Sequence, residues 1–445
     1  MFRRRRFDWQ ANRRIFDSVT VMLSLPYAQE RDAADPLRPL RARFGMPCTT
    51  RGDPCIYLCG HSLGLMPLAA RAEIAQELDD WERLAVLGHE HARRPWIPYH
   101  DALAPEVAAL LGCRAEEIAV MNSLTVNLHL MLASFYRPEG ARRAILIEAG
   151  AFPSDRYAVA THLQWHGLDP LECLIELAPR GHEDLIAEES IENLLAQRGE
   201  EVALVLWPGV QYLTGQAFDL PRIALAAHRA GALVGFDLAH SVGNLPEPLR
   251  DLEADFAVWC SYKYLNAGPG AIAGCFVHRG HFGSSRHRLG GWWGHERSSR
   301  FQMPHEFRAA HGAAGFHLSN QSILSTAPLI ASLALFREAG SARLREKSVA
   351  LTRFMEELLA ERTPAIRPIT PRAAGARGAQ LSLRLSGGPE RGRRVHQWLA
   401  DHGVLCDWRE PDIIRAAPAP LYNGFEDVFN FVTRLEEALR STGGR

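Results

Sequence analysis

Of the 50 Lys and Arg residues, only Lys263 and Lys347 are lysines. A chain that writes nearly every cation as arginine, yet keeps a lysine in Ser261-Tyr262-Lys263-Tyr264-Leu265-Asn266, points to a position that needs an amine. An amine can form a Schiff base; a guanidinium, never deprotonated in proteins, cannot. Asp237 and His240 follow the apolar residues 232–236. A carboxylate at the end of a buried strand is costly unless a cation or donor meets it, although a helix cap is the plainer alternative. Ser123-Leu124-Thr125 opens a helix whose backbone N–H groups could converge on an anion. Phe152-Pro153-Ser154-Asp155 sets an aromatic face beside a polar cap. A carboxylate, a lysine on the next strand end and a phosphate-binding helix start are together what pyridoxal phosphate requires. The carboxylate keeps the pyridine nitrogen protonated, and the lysine holds the aldehyde as an imine.

Strand ends and helix starts must hold these groups, and the hydropathy pattern supplies both. Residues 118–121, 144–147, 202–207, 232–236, 256–260 and 272–277 are short, near-continuous apolar runs. Helical stretches alternate with them: one through Phe135, one from Ser154 and one from Asp219 with Pro221 in its first turn. Residues 68–87 also read as helix, with Ile74, Leu78, Trp81 and Ala85 at helical spacing, Pro67 in the first turn and Gly88 at the stop. The expected fold is α/β, a mostly parallel sheet covered by helices on both faces, with ligands at the carboxyl ends of the strands. From Gln321 the texture changes to long helices, then strand-like 380–385, 404–406 and 413–415, and a last helix over 425–439. The division expected is an N-terminal segment, 1–55, a large cofactor-binding domain, 56–320, and a smaller α+β domain, 321–445.

Other chemistries fall away. Gly60-His61-Ser62-Leu63-Gly64 fits the G-x-S-x-G nucleophile elbow, but Pro67 would stand inside the helix that must begin at the serine. None of the four His-Glu pairs has a second histidine four residues on, so no metal site is expected; neither a dinucleotide fingerprint nor a Walker sequence occurs. The formal net charge of -1 argues against nucleic acid or a membrane surface as main partner. Eight cysteines without a C-x-x-C pair suit buried thiols in a reducing, cytoplasmic setting. The opening arginines, Arg3 to Arg6 with Arg13 and Arg14, read as a solvated tail or an over-called start.

Nine stretches, in order, carry a resemblance to the kynureninase family, pyridoxal-phosphate enzymes of the aspartate-aminotransferase fold (fold type I). They are Ser62-Leu63-Gly64; Gly88-His89-Glu90 with Arg94-Pro95-Trp96; Leu124-Thr125-Val126-Asn127; Phe152-Pro153-Ser154-Asp155; and Tyr212-Leu213-Thr214-Gly215-Gln216. Asp237-Leu238-Ala239-His240, Ser261 to Asn266, Gly291-Trp292-Trp293-Gly294-His295 and Ile414-Arg415-Ala416-Ala417-Pro418 complete the set.

The resemblance implies that Lys263 anchors pyridoxal 5'-phosphate as a Schiff base and that Asp237 pairs the ring nitrogen, with His240 nearby. Phe152 would stack on the ring. Leu124, Thr125, Ser154, Asp155, Tyr262, Trp292 and Asn320 would complete the cofactor site, Trp292 reaching across from a second subunit of a homodimer. Arg415 would clamp the substrate α-carboxylate, and His89, Ser319 and Asn320 would set polar groups near the aryl ring. Lys263, Tyr262 and Asp237 would be the catalytic residues. The implied reaction is hydrolysis of kynurenine or 3-hydroxykynurenine to alanine and anthranilate or 3-hydroxyanthranilate, feeding nicotinamide synthesis or tryptophan breakdown. Two departures stand out: His61 where the family commonly has Asn, and Pro208 where a small hydroxyl residue can serve. A cysteine desulfurase, an aminotransferase or a non-catalytic cofactor-binding protein are the alternatives. Cys406, in an apolar run, argues against the desulfurase.

Overall fold

The computed structural model describes residues 23–246, 248–283 and 286–443, so the Arg-rich opening lies outside the described residues. The six apolar runs become strands of a seven-stranded sheet, whose edge strand β3 the hydropathy pattern did not mark: β1 (Ile118–Val120), β2 (Ala144–Glu148), β3 (Leu174–Leu177), β4 (Val202–Pro208), β5 (Leu233–Asp237), β6 (Phe256–Trp259) and β7 (Gly274–Val277). Their spatial order is β1-β7-β6-β5-β4-β2-β3. Strands β3, β2, β4, β5 and β6 run parallel, while β7 is antiparallel to both β6 and β1. Successive residues of a strand face opposite sides, so a sheet covered twice needs apolar residues at every position. Strand β4 shows this: Val205 and Trp207 enter one core, Leu204 and Leu206 the other.

The helices that matter for the site begin where strands end. Helix α2 (Leu124–Phe135) starts four residues after β1, with Ser123 as N-cap in extended conformation. Helix α3 (Pro153–Trp165) begins with its proline, whose missing N–H is no loss there. In helix α4 (Leu220–Arg229) the Asp219 carboxylate accepts the Arg222 amide at 3.1 Å. Helix α1 (Ala70–Leu84) departs from the sequence reading. Its start is three residues beyond Pro67, which instead pairs with Phe44 in a two-residue strand. Gly88 opens a further helical turn rather than ending one, since a Cβ there would meet the Trp96 ring at 2.4 Å. The apolar residues of α1 also lie outside. Leu78 and Trp81 are 45% and 60% exposed, whereas Glu77 and Asp80 are buried. Glu77 accepts from Trp96 Nε1 at 3.0 Å and Tyr99 Oη at 2.8 Å, and Asp80 from the Arg93 amide at 3.0 Å, so the interior side of this helix is polar and satisfied.

A second core forms around an antiparallel sheet of β8 (Arg367–Pro368), β9 (Leu381–Arg384), β10 (Asp407–Arg409) and β11 (Ile413–Ala416), in the order β8-β9-β11-β10. Helices α6 (Ser341–Arg362) and α7 (Phe425–Thr442) cover it. Leu23, Ala28, Ile56 and Leu58 join this core, and Ile56 pairs with Val404. Helix α5 (Ile323–Ala339) instead packs Leu329, Leu333 and Phe336 into the large-sheet core. Residues within 23–58 and within 351–438 thus share this second core. Lys347 of α6 is buried there, paired with Asp35 at 2.6 Å.

Asp255, just before β6, ties sheet to periphery. Its carboxylate meets the Val234 amide at 2.7 Å, His228 Nε2 at 3.1 Å and His281 Nε2 at 2.7 Å. Asp255→Ala should lower unfolding free energy in urea by at least about 3 kcal/mol, since removing one member of a buried polar set strands the others.

Candidate active site

The carboxyl ends of β2, β4 and β5, together with the loop after β6, converge on one open cleft. Nine of the residues singled out from sequence line it. Leu124 and Thr125 come from the start of α2; Phe152, Ser154 and Asp155 from the start of α3; Asp237 and His240 follow β5; Tyr262 and Lys263 follow β6. Lys263 Nζ stands 5.7 Å from the Phe152 ring centroid and 6.0 Å from that of Tyr262. One Asp237 oxygen accepts the Ala239 amide at 2.7 Å. The Gly60–Gly64 segment lies against this lysine loop, with the Gly64 amide donating to Tyr262 O at 2.8 Å. A Cβ at Gly64 would stand 2.3 Å from Lys263 O, so glycine is required for the approach. Ser62 is exposed and starts no helix, which disposes of the elbow.

Sequence reasoning missed Glu148, Val210, Tyr212 and Ala239. Glu148 ends β2 as Asp237 ends β5, so the strand-end carboxylate argument could have found it. Tyr212 stood in one of the nine matched stretches but without an assigned role; its ring meets Phe152 edge-to-face at 5.2 Å. Pro208 does line the cleft, without a side-chain donor.

The electrostatics are lopsided. Glu148, Asp155 and Asp237 are all buried, with Lys263 as the lining cation. Burial, reinforced by Asp237, pushes Glu148 up to about 8. Burial and the adjacent Asp237 likewise hold Asp155 well above the carboxylate range, and one Asp155 oxygen has no partner. Burial and then Lys263 keep His240 neutral, while burial raises the Tyr262 phenol so that it keeps its proton. This pocket asks for a cationic ring atom near its carboxylates, an anion at the helix starts and an aldehyde at Lys263. Pyridoxal phosphate answers all three.

Four expected residues lie elsewhere in this chain. His89, Trp292 and Asn320 line a separate recess with Val86, Leu87 and Phe301, and Ser319 joins Asn320 in a polar one beside Ser123. These residues come from the segment after α1 and from the loops after β7, not from the ends of β2, β4 and β5. Arg415, on β11, is 1% exposed and does not line the cleft. Its Nη1 donates to Tyr212 O at 2.7 Å, and its Nε donates to Asp407 at 2.6 Å. His61 is fully buried, 4.0 Å from Asp407, with its ring 6.3 Å from that of His240; burial lowers it to about 4.

Fold and site define a pyridoxal-phosphate enzyme of fold type I. Among solved structures the chain resembles a cysteine desulfurase of Thermococcus onnurineus NA1, with a TM-score of 0.70 and 18% identity over 87% of this chain and 95% of that one. It also resembles a C-DES mutant with glycine covalently linked to the PLP cofactor, with a TM-score of 0.73 and 19% identity over 86% and 96%. The family model for the kynureninase C-terminal domain matches residues 344–435. Kynureninases of Xanthomonas euvesicatoria pv. vesicatoria (strain 85-10) and Stenotrophomonas maltophilia (strain K279a) are each 52% identical, over 94% of this chain and 99% of theirs. The chain belongs to the kynureninase family.

Glu148 makes the cofactor-free protein sensitive to pH. With its folded value near 8 against 4.5 unfolded, the folded state binds the extra proton between those values. Stability must therefore fall as pH rises through that window. Melting temperatures of the cofactor-free protein from pH 5 to 8 should decline, and Glu148→Gln should flatten the decline.

Proposed function

We propose that the protein hydrolyses the Cβ–Cγ bond of kynurenine or 3-hydroxykynurenine, releasing alanine and anthranilate or 3-hydroxyanthranilate. The observation that carries this is the Lys263 amine in a cleft with Phe152, Asp155 and Asp237, in a chain of this family. When bound, pyridoxal phosphate supplies an aldehyde for the substrate amine and a ring that accepts electron pairs released at carbon.

The chain's own residues do the rest. Leu124, Thr125 and Ser154 would hold the phosphate at two helix starts, and Phe152 would cover the ring. Asp237, one oxygen of which is fixed by the Ala239 amide, would keep a proton on the ring nitrogen, with Asp155 behind it. Lys263 would hold the aldehyde until substrate arrives, then move the Cα proton as a free amine. Tyr262, protonated at neutral pH, would deliver a proton or contact the phosphate. Arg415 would receive the α-carboxylate through its planar fork. Cys406 is buried in the second core with its thiol raised by burial, which leaves no mobile nucleophile for a desulfurase there.

A homodimer fits the surface. Val86, Leu87, Trp292 and Phe301 are exposed and line one recess, and such a cluster of exposed apolar side chains marks an interaction face. His89, Trp292, Ser319 and Asn320 border it, where a partner's cleft would receive them. Among the described residues no single helix is long and apolar enough to cross a membrane, and all eight cysteines are free; we place the enzyme in the cytoplasm. Once covered by a partner subunit, His89, Ser319 and Asn320 would favour a ring hydroxyl, since polar groups buried there and left unpaired cost about 1–3 kcal/mol.

Alanine release from both substrates should be absent in Lys263→Ala, and kcat/KM should favour 3-hydroxykynurenine; a ratio favouring kynurenine overturns the preference alone. Mixing inactive Lys263→Ala with inactive Trp292→Ala subunits should restore activity if sites are shared, and should not if each subunit is self-sufficient.

A further inference from the structure

Arg415 lies almost wholly inside the protein, where a guanidinium needs a counter-charge and partners for its five N–H groups. Its Nε and Nη2 both reach Asp407 Oδ2, at 2.6 and 2.5 Å, and Nη1 reaches Tyr212 O at 2.7 Å. That commits three N–H groups and leaves one on each terminal nitrogen. Asp407 and Arg415 are directly opposed on the antiparallel strands β10 and β11, so backbone register fixes carboxylate against guanidinium. The same Asp407 oxygen accepts Arg409 Nε at 3.0 Å. Burial pushes the Asp407 carboxyl up, but His61, Arg415 and Arg409 hold it well below the usual range.

The charge count then matters. One carboxylate faces two guanidiniums, each within 6 Å of the ring centroid of Tyr212, which lines the cleft. A single positive charge is left over, and His61, neutral by burial, does not change that count. We propose that Asp407 is a positioning residue for substrate binding. It grips Arg415 along the Nε–Nη2 edge and turns the two remaining N–H groups toward an α-carboxylate, whose charge closes the balance. Arg409 stays on Asp407 and keeps that carboxylate ionised. This rests on the reading that Arg415 receives the α-carboxylate.

The test uses the cofactor-loaded enzyme and two small probes, L-alanine and ethylamine, which differ in the carboxylate. Binding of each is read from the cofactor's visible absorbance. Asp407→Asn should weaken L-alanine at least tenfold, leave ethylamine within twofold, and raise KM for the kynurenine substrates more than it lowers kcat. Asp407→Glu, which keeps the charge but moves it by one methylene, should fall between wild type and Asp407→Asn. If Asp407→Asn does not fold, Asp407→Glu must still weaken L-alanine selectively. Equal losses for both probes would make Asp407 merely structural and overturn the proposal. Arg415→Lys separates the two readings. Weakened L-alanine in Arg415→Lys with none in the Asp407 variants sinks the positioning role alone; unchanged L-alanine in Arg415→Lys sinks the carboxylate assignment beneath it.

Discussion

Three buried carboxylates around one lysine amine are the constraint on which this site depends. Glu148, Asp155 and Asp237 sit where parallel strands and a following helix bring them together, because such strands all end on the same edge of the sheet. Alone, the arrangement is unfavourable, and the raised Glu148 and Asp155 register that. It becomes favourable when a cationic ring nitrogen enters. Cofactor binding and protonation of that nitrogen would then share one source, the carboxyl groups that the sheet gathers and its two apolar cores hold in place.

The second core answers a different need. A carboxylate-binding arginine must be rigid and must enter the cleft region from outside the large sheet. Arg415 would meet both demands: it lies on an inner strand of the small sheet and reaches the Tyr212 carbonyl. Tyr212 also touches Phe152. One loop residue therefore connects the surface that would cover the cofactor ring to the group that would hold substrate, so the two bodies must pack correctly before either works.

Much of this was legible in the sequence, for identifiable reasons. Near-continuous apolar runs marked six of the seven large-sheet strands within a residue or two, because a doubly covered sheet leaves no polar position to blur them; edge strand β3, with Glu176 exposed, was missed. Lys263 was legible through the scarcity of lysine, and Asp237 as an expensive residue at a strand end. Glu148 satisfies the same rule and was overlooked beside a plain apolar run. Helix α1 was legible as a helix but not in its orientation: periodicity reports spacing, while the burial of Glu77 rests on Trp96 and Tyr99, which become its neighbours only in the fold. Asp407 could not be found from the chain alone, because its partnership with Arg415 is a matter of strand register. The recess holding His89, Trp292 and Asn320 was equally out of reach, since its meaning depends on a surface rather than on a motif.

The scarcity of lysine has a further consequence for reactivity. Lys347 is enclosed and ion-paired with Asp35, so Lys263 is the one side-chain amine set in an open cleft. Aldehydes, acylating agents and amine-directed labels that damage most proteins at many surface points find essentially a single target here. The same economy that reserves an amine for the cofactor would leave the holoenzyme with little lysine for amine-directed reagents to reach, because the cofactor would already occupy that target. The cofactor-free form, by contrast, would be marked at one place, and that place decides activity.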